Sequence, residues 1–160
     1  GSNVGFLGCY FNDAGINPMH DEWFAPMSEE APAILRAARE EAPDLVAVLH
    51  SHKTPPAVLR PAYIPLEVQE EVAALAARTY AHFDDLGIQH HPGFEPRAER
   101  GAPPAAFNLT SAIYHTGGAP AFTFECSHGI RDEDAYHVGC EGILEIQLGL
   151  YRSIMAHVLA

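Results

Sequence analysis

The chain has 160 residues, of which 48% are hydrophobic and 19% are charged. This composition is typical of a single globular domain and argues against a disordered or fibrous chain. Nine basic and twenty-one acidic side chains give a formal net charge of −12, so we expect neither nucleic acid nor an anionic membrane as a partner. No apolar run reaches the roughly 18 residues that a membrane-spanning helix needs.

The first elements in chain order are a strand and a helix. Gly1 and Ser2 resemble the remnant of an expression tag. The apolar, aromatic-rich run over residues 4–11 predicts a strand, and residues 12–15 have the composition of a turn. Ser28 can cap a helix whose apolar positions recur every three or four residues, and Pro43 should end it.

The next elements are a buried strand and a long helix. Residues 45–49 are five apolar residues without alternation, which predicts a central strand covered on both faces. This strand leads directly into His50-Ser51-His52. A proline-rich loop over residues 54–65 precedes a second amphipathic helix, with Pro65 near its first turn and Gly87 as its terminator.

The last third of the chain predicts a loop, two helices and a strand. Residues 89–106 contain four prolines and two glycines, which indicates a surface loop that could border a cleft. Asn108 should cap a short helix that ends at Gly117-Gly118. A buried strand over residues 121–124 ends on Glu125, and a long helix is expected over about 133–160, with glycines at 139, 142 and 149 that suit close packing.

Cysteine and histidine content add two expectations. Cys9, Cys126 and Cys140 lack the spacing of a disulfide framework or a zinc ribbon, so buried free thiols are expected. Ten histidines outnumber all lysines and arginines together, which raises a metal-binding hypothesis. The opening residues have no basic region or cleavage site of a signal peptide, and a cytoplasmic location is favoured.

Two apolar strands lead into residues capable of catalysis or metal ligation, His50 after the first and Glu125 after the second. Because the carboxyl ends of parallel strands meet at one edge of a sheet, we expect these side chains to lie close together. A glutamate at a strand end can equally form a structural ion pair with an arginine, and a histidine there can be structural. The pattern alone leaves these roles open.

Four short segments carry a family resemblance: Gly15-Ile16-Asn17-Pro18, Leu49-His50-Ser51, Ile113-Tyr114 with Gly117-Gly118, and Phe122-Thr123-Phe124-Glu125. In this order they resemble the C-terminal half of the zinc carboxypeptidases, the carboxypeptidase A-like metallopeptidases. The resemblance implies that residues 1–160 form the C-terminal part of a catalytic domain. It also implies an α/β fold with a mixed, mostly parallel sheet flanked by helices.

The resemblance further implies a zinc-dependent hydrolase of peptide or amide bonds. His50 would be one zinc ligand, and Glu125 would be the general base that takes a proton from water. Tyr114 would close over a peptide or N-acyl amino acid substrate, and Ser51 would line the pocket through its backbone. His52 takes the place where many relatives have an aromatic residue, and it is expected to line the pocket.

The sequence departs from the family pattern at two functional positions. The His-x-x-Glu pair that supplies the other zinc ligands has no counterpart in this chain. Met19-His20-Asp21 replaces the Asn-Arg pair that grips a substrate carboxylate, and His20 cannot form the bidentate contact of an arginine. These departures keep two alternatives open: an amidase or deacylase on the same scaffold, and a non-catalytic interaction module.

The departures also imply a partner. If this chain supplies only half of the family's sheet, the missing N-terminal half of the domain should complete both the sheet and the zinc site. A half-sheet that stands alone has an exposed edge, so self-association into a homo-oligomer is expected in that case.

Overall fold

The computed structural model describes residues 12, 14–21, 25–98, 107–127 and 136–160. The helices are a short 3-10 helix (Pro18–His20), α1 (Glu30–Glu41), α2 (Leu66–Asp85), α3 (Leu109–Gly117) and α4 (Cys140–Val158). The strands are β1 (Val46–His52), β2 (Ala57–Leu59) and β3 (Ala121–Ser127). The described residues form two compact units. The first contains the 3-10 helix, α1 and α3, and the second contains nearly all of the sheet together with α2 and α4.

In the first unit, α1 is fixed at both ends by local interactions. The carboxylate of Asp21 accepts hydrogen bonds from the backbone N–H groups of Met27 (2.8 Å) and Ser28 (2.7 Å), which holds the chain that enters the helix. The N-cap position is Glu29, one residue after the predicted Ser28. Ala42 ends the helix in a left-handed conformation, directly before the proline that was expected to stop it.

The predicted caps of α3 are confirmed. The Oδ1 atom of Asn108 accepts a hydrogen bond from the Thr110 N–H at 3.1 Å, and Gly118 ends the helix with a φ of 77°. Helix α3 packs on α1 so closely that a Cβ atom on Gly117 would lie 3.2 Å from the carbonyl oxygen of Ala38. The caps fix the ends of α3, and the close packing fixes its position on α1.

The sheet of the second unit is small and mixed. Its three described strands have the order β1-β3-β2, and β2 runs antiparallel to β3 with Ala57 opposite Glu125. Among the described strands, β3 lies in the middle and is almost wholly buried, whereas β1 lies at an edge with Leu49 45% exposed. The prediction of a central strand over residues 45–49 is therefore wrong for the described sheet, since β3 takes that place.

Two strands extend further than expected, and one was missed. β1 continues through His52 and β3 continues through Ser127, so His50 and Glu125 lie inside their strands and not after them. β2 was predicted as part of a loop because prolines flank its three residues on both sides. It forms because its backbone pairs with β3.

Helices α2 and α4 pack against each other in the second unit. Phe83 of α2 is fully buried, and a Cβ atom on Gly149 of α4 would lie 2.8 Å from its ring. The prediction that α4 begins near residue 133 is wrong for the described residues 136–139, which are not helical and lead to the N-cap Gly139. The expected close packing holds at Gly149 but not at Gly139, where an added Cβ would meet nothing within 4 Å.

Some predictions fall on residues that the structure does not describe. These are the strand over residues 4–11, the environment of Cys9 and the loop residues 99–106. No helix in the described ranges is both long enough and apolar enough to cross a membrane.

Candidate functional site

The second unit contains a cavity of about 380 Å³, a size within the range of small-molecule sites. It lies beside the β2–β3 pair and beside the loop that follows α2. Half of its described lining residues are apolar, and four of the others are titratable: His52, Thr54, Ala57, Val58, Leu59, Arg60, His91, Pro92, Phe94 and Glu125. Two residues predicted from the sequence, His52 and Glu125, therefore line the same cavity.

Glu125 is positioned by the middle strand of the sheet. Its neighbours in β3, Phe124 and Cys126, are buried, whereas Glu125 itself is half-buried and faces the cavity. Its Oε2 atom is buried and has no hydrogen-bond partner among the described residues. Because a buried carboxylate oxygen without a partner is costly, this atom is suited to receive a proton or a hydrogen bond from a ligand.

His50 and His52 are related by the period of a strand. Side chains two residues apart point to the same face, so both imidazoles lie on one face of β1 and Ser51 lies on the other. The Nδ1 atom of His52 lies 3.0 Å from the Thr54 hydroxyl and accepts a hydrogen bond from the Thr54 N–H at 3.3 Å. His50 is half-buried and does not belong to the lining of the cavity, and Ser51 is exposed.

The other two predicted site residues belong to the first unit. Tyr114 is half-buried in the last turn of α3, with its ring edge-on to His115 at 5.6 Å. His20 is exposed at the end of the 3-10 helix.

Sequence reasoning missed several residues of the cavity wall. Arg60 follows β2, and His91 and Phe94 lie in the loop after α2. The sequence predicted that this loop could border a cleft, but not which of its residues would line it. The loop is held in place by a hydrogen bond from the His91 N–H to the carbonyl oxygen of Pro56 at 3.0 Å. The preceding residue, His90, stacks on Tyr80 of α2 at 4.3 Å. These contacts join distant parts of the sequence, so no local motif reveals them.

A buried glutamine fastens the end of the same loop. Gln69 of α2 is fully buried, although it is polar. Its Nε2 atom donates to the carbonyl oxygen of Arg97 at 3.2 Å, and its Oε1 atom accepts from the Arg97 N–H at 3.1 Å. The same Oε1 atom accepts from Arg60 at 3.3 Å. The sequence signal for this role was that Gln69 is a polar residue beside the apolar stripe of α2.

The cysteines differ in environment. Cys126 is buried in β3, and burial raises the pKa of its thiol. Cys140 is exposed at the start of α4, so the expectation of a buried thiol is wrong there. The exposure follows from its place at the first turn of the helix.

A search of solved structures finds a metallo-carboxypeptidase from Burkholderia cenocepacia with a TM-score of 0.56 and 20% sequence identity. The match covers 92% of this chain and 40% of that chain. The fold is carboxypeptidase-like. The chain therefore spans well under half the length of that structure and corresponds to a partial domain. No protein-family profile and no curated protein sequence matches it.

The carboxypeptidase-like fold raises the question of a metal. Within the described ranges, no group of three or more His, Cys, Asp or Glu side chains could hold a metal ion. A catalytic zinc ion takes three protein ligands. The described residues alone do not fit a complete zinc site, so a zinc ion would need ligands from outside them.

Proposed function

We propose that this chain is part of a zinc-dependent hydrolase of peptide or amide bonds. The observation that carries the proposal is the Glu125 carboxylate, which faces a cavity on a carboxypeptidase-like fold and has one buried oxygen without a partner among the described residues. A base with this placement can take a proton from a molecule that enters the cavity.

Glu125 acts as the general base in this proposal. Its Oε2 atom accepts a proton from the attacking water and then passes that proton to the leaving nitrogen. Val58 and Phe94 contribute apolar walls to the cavity that Glu125 faces. His52 lines the same cavity and contributes a hydrogen-bonding edge for the substrate.

His50 is proposed as one ligand of the zinc ion, and the other ligands come from outside the described residues. Zinc bound there would supply Lewis-acid chemistry. The missing N-terminal half of the domain is the proposed source of these ligands. Tyr114 and Ser51 are proposed to contact the substrate, as the family resemblance implies.

The substrate is proposed to be a peptide or an N-acyl amino acid. His20 stands at the position of the family's carboxylate-binding arginine, and it is exposed at the end of a 3-10 helix. An imidazole cannot provide the two parallel hydrogen bonds of a guanidinium. We therefore propose amidase or deacylase activity as an alternative to exopeptidase activity.

The test is the Glu125→Gln substitution in the complete protein that carries this chain. The amide keeps the shape of the side chain but cannot accept the proton, so hydrolysis of a peptide and N-acyl amino acid panel should fall about 10²–10⁴-fold. Bound zinc, measured by elemental analysis, should stay the same. Glu71→Gln, on an exposed position of α2, is the matched control and should keep full activity. Full turnover by the Glu125 variant would refute the role of this residue as the base.

A second candidate function is a non-catalytic interaction module on the same scaffold. The observation that favours it is the lack of a three-residue metal group within the described ranges. Metal analysis of the complete protein separates the two functions. Zinc at one ion per molecule supports the hydrolase, and protein without zinc that hydrolyses none of the panel supports the module.

A further inference from the structure

Helix α4 has apolar residues on its solvent side as well as on its buried side. The buried side carries Ile146, Gly149, Leu150 and Ser153. The opposite side, called here the outer face, carries five apolar residues spaced three or four positions apart: Leu144, Leu148, Tyr151, Met155 and Val158. At 3.6 residues per turn, these five side chains start within an arc of about 80° around the helix axis. They therefore form one continuous row along the helix.

The outer face of α4 is open to solvent. Leu144 is 55% exposed, Tyr151 45% and Met155 59%, and Leu148 between them is half-buried. A helix on the surface of a monomer normally has charged or polar residues on its solvent side. Single exposed apolar side chains are common, but a continuous row of them marks an interaction surface. This row is separate from the cavity described above, because none of the described lining residues lies in α4.

Two opposite charges lie along one flank of the outer face. Glu145 and Arg152 are both exposed, and they are seven residues apart, about 10 Å along the helix axis. Neither forms an ion pair with another of the described residues. The other flank of the outer face carries Gln147 and Ile154, which have no charge. The charges thus give the outer face a direction and a side.

This arrangement fits a second copy of the same helix that runs in the opposite direction. When two identical helices pair antiparallel about a twofold axis, each flank meets the same flank of the other helix, whereas parallel pairing brings opposite flanks together. In the antiparallel pair, Glu145 of each copy faces Arg152 of the other, which gives two ion pairs. Parallel pairing would place both charges beside the uncharged flank.

We propose that two copies of this chain associate through the outer face of α4, with the two helices antiparallel. In the register that pairs the charges, Leu144 of one copy faces Met155 of the other, and Leu148 faces Tyr151. This surface differs from the exposed sheet edge that the sequence predicted for self-association. The association requires neither zinc nor hydrolysis, so it does not depend on the proposed function.

The test measures the mass of this chain in solution by sedimentation velocity over a range of concentrations, in about 0.15 M salt at neutral pH. The species formed at high concentration should have twice the 17.4 kDa mass of the chain. Because one helix face is a small interface, we expect a dissociation constant of roughly 1–100 μM. A chain that stays monomeric at about 500 μM, well above that range, would overturn the proposal.

A first pair of variants identifies the surface. Met155→Glu places a carboxylate in the apolar row of both copies, so the dimer should dissociate at least about tenfold more readily. Leu66→Glu, at the first residue of α2, is the control: Leu66 is 41% exposed, and the change of charge is the same. This control should leave the association unchanged. Circular dichroism checks that each variant is folded. A folded Met155→Glu variant that dimerises like the wild type would refute the assignment to α4.

A second pair of variants tests the antiparallel direction. Glu145→Arg alone sets two arginines against each other at both contacts, and Arg152→Glu alone sets two glutamates against each other, so each should weaken the dimer about tenfold. An equimolar mixture of the two variants pairs opposite charges at both contacts and should associate about as tightly as the wild type. A mixture that associates no better than either variant alone would refute the antiparallel arrangement.

Discussion

Gly149 is the point of closest approach between α2 and α4, and replacing it with alanine gives a sharp test of the packing. The added Cβ atom would lie 2.8 Å from a ring carbon of His82 and 2.8 Å from a ring carbon of Phe83. Carbon atoms in contact normally lie about 3.5–4.0 Å apart, so the helices or the rings must move by about 0.7 Å or more. Phe83 is fully buried and has little room to do so.

The magnitude follows from two opposing effects. Overpacking of this kind costs about 1–3 kcal/mol, whereas alanine in place of glycine favours the helix by about 1 kcal/mol. Gly142→Ala, in the first turn of the same helix, makes the same change of residue with a milder contact, 3.2 Å to the Cβ atom of Val138. The difference between the two variants therefore reports mainly the cost of the closer contacts at Gly149, and we expect Gly149→Ala to be about 1–3 kcal/mol less stable than Gly142→Ala.

The assay is urea unfolding followed by circular dichroism, with thermal unfolding as a second measurement. At roughly 2–4 °C per kcal/mol for a chain of this size, the Gly149 variant should melt roughly 2–12 °C below the Gly142 variant. If the Gly149 variant is as stable as the Gly142 variant or more so, the close approach of the two helices is not as described.

Two further predictions concern single hydrogen-bonded groups. Tyr80→Phe removes the hydroxyl that accepts from the buried Val58 N–H at 2.8 Å, so urea unfolding should show a loss of about 1–3 kcal/mol, and an unchanged stability would contradict this contact. Hydrogen bonds from the Met27 N–H and from the side chain and N–H of Ser28 hold the pKa of Asp21 below its ordinary value of about 3.9. Its contribution to stability is therefore present above that pH and is lost as the pH falls through the lower, folded-state pKa. Thermal unfolding between pH 2 and 6 should therefore show a smaller acid-dependent loss in Asp21→Asn than in the wild type, and parallel profiles would count against it.

Local signals in the sequence predicted the helices well. Asn108 and Gly118 define α3 by capping, and Pro65 and Gly87 lie just outside the ends of α2. These residues act within one turn of the chain, so their effect can be read without knowledge of the tertiary fold. The fold class was predicted through the resemblance of four segments, and the carboxypeptidase-like structure agrees with it.

The cavity could be predicted only in part. Glu125 was chosen because it ends an apolar strand, and His52 was chosen from its place in the family resemblance; both line the cavity. Arg60 and His91 come close to them only through the β2–β3 pairing and the anchoring of a distant loop by Gln69. Contacts between residues 28 positions apart in sequence, such as Gln69 and Arg97, leave no periodic pattern. Such contacts are fixed by tertiary structure alone.

Helix α2 holds two walls of the cavity at once. Gln69 anchors the loop near Arg97, and Tyr80, eleven residues and about 16 Å further along the helix axis, anchors β2 at Val58. Because a helix of this length is stiff, the separation of the two walls is preset by its geometry. A ligand that enters would therefore find a preorganised receptor and would lose little conformational entropy in ordering it.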